Sequence, residues 1–190
     1  MRPREEVHDG PALPFLISAT SRLKLESESN AAHLHLLINH LPIIGFALGL
    51  FLICATFIRH GDRGMFLASV LVLVISGGGA LAAKLTGEPA VEFVSDLPDI
   101  PQALIETHEG AANVATILAS ITTLLTIVLS IITLRQEGRI GVIPMSIILV
   151  ATLVTCGAMT WVGNTGGKIR HSEIRGEAPP APAFQERTDA

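Results

Sequence analysis

Four stretches of this chain, 41–58, 65–85, 110–134 and 142–162, carry no Asp, Glu, Lys or Arg, apart from Lys84 near one end. Each is 18 or more residues long. About 20 apolar residues, at ~1.5 Å rise, cross the ~30 Å hydrocarbon layer of a bilayer. Within lipid every backbone polar group must find its partner inside its own segment, so each stretch is expected to be a helix. The deficit of charge is concentrated in these stretches: charged residues are 16% of the whole 190, against about 25% in an ordinary soluble domain. The fold class that follows is all-α, an integral membrane four-helix bundle with polar N- and C-terminal tails.

The organisation expected is a polar tail over 1–30, a four-span membrane domain over 31–171 and a disordered tail over 172–190. A short helix is expected near 20–28, and the Pro/Ala-rich end "EAPPAPAFQERTDA" cannot bury a core. The spans are placed at about 41–58, 65–85, 108–134 and 142–162. Asn39 suits the N-cap of the first and Pro42 its first turn; one longer helix from Asn30, kinked at Pro42, is the alternative. Asp99 and Pro101 mark the start of the third helix, Gly141 and Pro144 that of the fourth. No internal repeat and no cleavable signal peptide is visible.

Several function classes drop out. A net charge of −4 without a basic stripe gives no footprint for nucleic acid. Cys54 and Cys156 fall inside spans and form no CxxC pattern, so neither a disulfide frame nor a zinc ribbon follows. No Ser/His/Asp arrangement, phosphate-binding glycine loop or pair of carboxylates within a span marks a stand-alone enzyme. No ionisable residue lies at mid-membrane, where transport pathways place theirs.

With four spans, both termini and the connector between spans two and three share one face, here called A. The two short turns share face B. Face B holds Arg59, Arg63, Arg135 and Arg139 against Asp62 and Glu137, while the long connector on A has no Lys or Arg. Counting Lys and Arg in short loops makes B the cytoplasmic side and places both termini outside a bacterial inner membrane. Arg2, Arg4, Arg22 and Lys24 in the first tail pull weakly the other way.

Face A is where the chemistry gathers. His35 and His40 precede the first span, "KLTGE" (84–88) ends the second, "ETHEG" (106–110) opens the third, and "WVGNTGGKIRH" (161–171) closes the fourth. A neutral imidazole is an axial ligand for haem iron, and histidines on two facing helices hold b-type haem in membrane bundles. His40 and His108 are expected to clamp one haem b. Gly77, Gly78 and Gly79 would let its ring, or merely a neighbouring helix, come close. Arg170 or Lys168 would pair with its propionates. His35 and His171 could ligate a second haem. The protein would then pass electrons near the outer face, between quinol and a c-type cytochrome, beside other membrane subunits and the lipid bilayer.

Other roles fit the same residues. His35, His40, His108 and Glu109 also form a donor set for zinc, copper or iron. Glu106 and Glu109 could make His108 a proton relay. With no cofactor at all, the histidines would fix helix ends at the headgroups, the role expected of His33, His60, His8 and Trp161. The chain would then be a structural or assembly subunit of a larger membrane complex.

The spacing His35–(four residues)–His40–Leu41–Pro42–Ile43, then Thr86–Gly87, then His108, then Gly166–Gly167 and Ile169 resembles a family of bacterial four-helix membrane proteins, the domain-of-unknown-function family 2231. The likeness covers about 33–171. Leu36 stands where that family usually has proline, and Arg170–His171 stands where a Val–Tyr pair is common. The resemblance implies a four-helix fold and a membrane location. Some members resemble modules joined to cytochrome c-like domains, which implies redox partners.

Overall fold

In the computed structural model the described residues are 32–95 and 101–176, with four isolated positions between 21 and 30. Most of both expected tails lies outside them; of the short helix expected near 20–28, the described positions Ser21, Lys24 and Glu26 are helical. Four helices make the fold: α1 (Ala32–Ile58), α2 (Arg63–Ser95), α3 (Gln102–Leu134) and α4 (Val142–Arg170). A 3-10 turn, Ser172–Arg175, follows. All four helices are long and apolar enough to cross a membrane.

They pack as a square, α1 against α2 and α4, α3 against α2 and α4; among the described elements the diagonals do not touch. Large apolar side chains lie on both sides of the bundle wall: Phe46, Ile53, Phe66, Leu73 and Ile148 are fully buried in the core. Leu37, Phe51, Leu71, Leu124 and Ile143 point outward, whereas Ala80, Ala111, Ala115 and Ala119 are buried. The buried polar positions are all serine or threonine, among them Ser69, Ser76, Thr122, Thr126, Thr152 and Thr155. Lipid tails are as apolar as leucine, so large aliphatics also sit comfortably outside, and small residues share the interior because they let backbones approach. A β-carbon on Gly45 would overlap Ser76, and one on Gly77 would overlap Thr123. Most hydroxyls return their proton to a carbonyl one turn back, as Thr126 does to Thr122 at 2.8 Å. Thr122 and Thr155 also join across the α3–α4 seam at 2.8 Å.

The inner face of α1 runs His35, Asn39, Pro42, Phe46, Gly49, Ile53 and Thr56, steps of three and four that keep one stripe on the core. Asn39 does not cap a helix. Its backbone is helical (φ −61°, ψ −24°), its side chain makes no cap bond, and its N–H bonds the His35 carbonyl at 2.9 Å. The longer helix is therefore the one formed. Its only interruption is at Asn39, beside the Ile38 carbonyl that Pro42, lacking an N–H, cannot bond. Pro89 is likewise carried inside α2.

Both turns on face B are closed by arginines from the opposite hairpin. Arg63, at the start of α2, donates to the carbonyls of Leu134 (2.8 Å) and Gln136 (2.7 Å) at the end of α3. Arg139, before α4, donates to those of Arg59 (2.8 Å) and His60 (3.0 Å) at the end of α1. The last carbonyls of a helix have no partner within it, and a guanidinium satisfies several while meeting the negative end of the helix dipole.

Candidate functional site

The helices continue beyond their apolar stretches on face A, and those extensions carry the polar residues. His35, on the inner stripe of α1, reaches α2. Its Nδ1 lies 3.0 Å from the Ala83 carbonyl and 3.2 Å from Thr86 Oγ1. A carbonyl only accepts, so Nδ1 carries the proton. Thr86 spends its own proton on the Ala82 carbonyl at 2.9 Å and is free to accept as well. In the neutral ring this leaves the lone pair on Nε2.

His108 repeats the arrangement in the second hairpin. Its Nδ1 is 3.2 Å from Thr165 Oγ1 on α4, with the Val162 carbonyl also in reach. Thr165 has the Val162 carbonyl at 3.0 Å for its own proton, which leaves its oxygen able to accept from His108 Nδ1. In that tautomer Nε2 keeps the lone pair. Both rings are half-buried and come from diagonally opposite helices.

The correspondence extends to the neighbours. A β-carbon on Gly87 would sit 3.4 Å from His35 Cε1, and one on Gly166 would sit 3.0 Å from His108 Cε1. Each hairpin thus opens with a histidine and closes with a Thr–Gly pair that receives it: His35 with Thr86–Gly87, His108 with Thr165–Gly166. The arginines of face B, Arg63 and Arg139, follow the same pattern. Sequence reading found no repeat because little else is shared between the hairpins; the doubled "TG" after a membrane-entry histidine was the visible trace.

The expected pair was His40 with His108, and it does not form. His40 is exposed and its Nδ1 bonds the Leu36 carbonyl of its own helix at 3.0 Å. It stands one residue past Asn39, off the inner stripe, and His35 takes the place opposite His108. Gly78 is exposed, with nothing near a β-carbon position, so it makes no room inside the bundle; its neighbours Gly77 and Gly79 do the close packing. His171 lies past the end of α4, exposed and 2.7 Å from Glu173, and offers no second ligand beside His35. Arg170 ends α4, but its side chain is outside the described residues, as is His8. His33 is exposed and His60 lies on face B. Among the described residues no three His, Cys, Asp or Glu side chains gather as metal-ion ligands, so the set His35, His40, His108 and Glu109 is not assembled.

A metal-ligating histidine characteristically ties one ring nitrogen to a carbonyl or other acceptor and offers the opposite one, which fixes the ring and raises its basicity. His35 and His108 both meet that description. Each hairpin thus offers one histidine of that kind near face A, the two lying on diagonally opposite helices. No protein-family model matches the chain, nor does any curated protein or solved structure.

Proposed function

We propose that the chain is an electron-transfer subunit of a bacterial inner membrane that holds a b-type haem between His35 and His108. What supports this reading is that each hairpin places one half-buried imidazole near face A, tied through Nδ1 to the neighbouring helix of its own hairpin. A bound haem would supply one-electron redox chemistry at a potential set by its ligands and their surroundings. The residues of the chain do the rest. Thr86 and the Ala83 carbonyl orient His35, Thr165 orients His108, and the small faces at Gly87 and Gly166 let both rings lie close to backbone.

The arginines on face B support a cytoplasmic position for the two turns, with the haem site and both termini on the outer side. A site on that side would exchange electrons with a c-type cytochrome or with quinol from the bilayer.

An absorption spectrum of detergent-purified protein, expressed with ample haem, tests it. The expected result is a Soret band with α and β bands that sharpen on adding dithionite. A featureless spectrum would remove haem and leave a cofactor-free structural or assembly subunit.

A further inference from the structure

Asn39 sits one helical turn past His35 on the inner stripe of α1, where side chains four apart are neighbours. Its amide oxygen is shut off from solvent and has no hydrogen-bond partner. It is not a cap, since its backbone is helical and its side chain makes no cap bond.

The helix register shows what it is level with. Ile43 Cδ1 lies 3.8 Å from the β-carbon position of Gly163, which pairs α1 with the antiparallel α4 at that height. Three residues nearer face A, Gly166 on α4 is then level with position 40 on α1, at ~1.5 Å per residue. The His108 ring lies against Gly166. Asn39 is thus one turn from the first imidazole and level with the second.

An unpaired buried amide oxygen is destabilising, so a chain that keeps one without a protein donor keeps it against its own stability. Two imine nitrogens and an amide oxygen are all electron-rich, and such a set suits a positively charged centre. We propose that Asn39 is a third residue of this site, its amide oxygen directed at the cationic centre held by the imidazoles and favouring that centre's oxidised state. This rests on the proposed haem site. With two neutral imidazoles the ferric state is the more positive, and a nearby oxygen dipole stabilises it relative to the ferrous state. Asn39 would act through that field as a positioning and tuning residue, not as a ligand.

Redox titration of the purified, haem-loaded protein, followed by its absorption bands, tests the inference with Asn39→Leu and the near-isosteric Asn39→Asp. Asn39→Leu is expected to retain bis-histidine bands and shift the midpoint potential upward, and Asn39→Asp to shift it downward by adding a negative charge. Loss of haem from a variant that keeps its helical circular dichroism would also place the residue in the site. Unchanged midpoints in both variants would overturn the inference while leaving the haem site standing. Should the wild-type protein take up no haem, the proposed function fails first, and thermal unfolding of the protein alone judges Asn39 separately. An amide reserved for a ligand is an orphan there, so Asn39→Leu is expected to raise the unfolding temperature. An unchanged or lowered temperature would overturn the role given to Asn39.

Discussion

Gly166 bears directly on the His108 ring: a β-carbon there would stand 3.0 Å from Cε1 and 3.3 Å from Nδ1. The imidazole is held between that bare stretch of α4 and the Thr165 hydroxyl 3.2 Å away. Gly166→Ala therefore requires the ring to move by a few tenths of an ångström and strains the hydrogen bond that orients it. Losing such an orienting contact weakens metal or haem affinity by about 10-fold or more. Haem titration of the apoprotein is expected to show that loss for Gly166→Ala and a smaller one for Gly87→Ala, where the corresponding distance is 3.4 Å.

His35→Ala and His108→Ala are each expected to abolish the reduced α band, and His40→Ala to leave it intact. The difference follows from exposure and partners, because His40 bonds within its own helix while the other two reach across hairpins. Absorption spectra of the three variants check this. A normal spectrum in His35→Ala would reassign the ligand.

His60 adopts a left-handed backbone (φ 54°) at the end of α1. Its N–H bonds the Phe57 carbonyl, and the next N–H, of Gly61, reaches back to Thr56, the hydrogen bonds of a Schellman C-terminus. The left-handed position there usually belongs to glycine, and other residues lose roughly 1–2 kcal/mol by adopting it. Thermal or denaturant unfolding in detergent is expected to show His60→Gly stabilised by about 1 kcal/mol. Gly61→Ala is expected to be destabilised, since Gly61 is also left-handed (φ 77°) and an added β-carbon would overlap the Ile140 carbonyl.

The turn after α4 depends on pH in one direction. Glu173 is held below the ordinary carboxylate range first by a hydrogen bond from its own backbone N–H and then by the His171 side chain. A carboxyl lowered in the folded state contributes above its unfolded pKa and loses that contribution as pH falls through the folded value. The Ser172–Arg175 turn is therefore expected to loosen as pH falls through and below the usual carboxylate range. The ring proton shifts of His171 in an NMR titration check this, with Glu173→Gln as the variant lacking the low-pH step.

Hydropathy located the four spans because lipid demands long uncharged runs, but it ended them where polar residues begin. The helices do not end there. α1 starts at Ala32 instead of 41, α2 continues to Ser95 instead of 85, and α4 to Arg170 instead of 162. Backbone hydrogen bonding propagates past the apolar run, and His35, Thr86, His108 and Thr165 all occupy these outer turns or their edge. His40 and His35 differ in helical phase. Counting back in steps of three and four from Phe46 through Pro42 and Asn39 arrives at His35 and leaves His40 facing out. Distance from the apolar run favours His40, whereas helical phase puts His35 on the inner stripe. Gly78 illustrates the same point, since one residue of phase separates it from Gly77, which α3 presses against. Nothing local announced that Asn39 would be an unpaired interior amide instead of a cap.

The crossed arginines of face B bear on how such a chain enters a membrane. When the first hairpin has been threaded, the carbonyls of Arg59 and His60 still await the Arg139 guanidinium, which emerges only after α3. Arg63 meanwhile waits for the end of α3 to exist. Each half therefore holds the fastening of the other. A first hairpin stalled during synthesis is an unfinished object awaiting its complement, and expressing the halves as separate polypeptides should yield a durable assembly only when both are made in the same membrane.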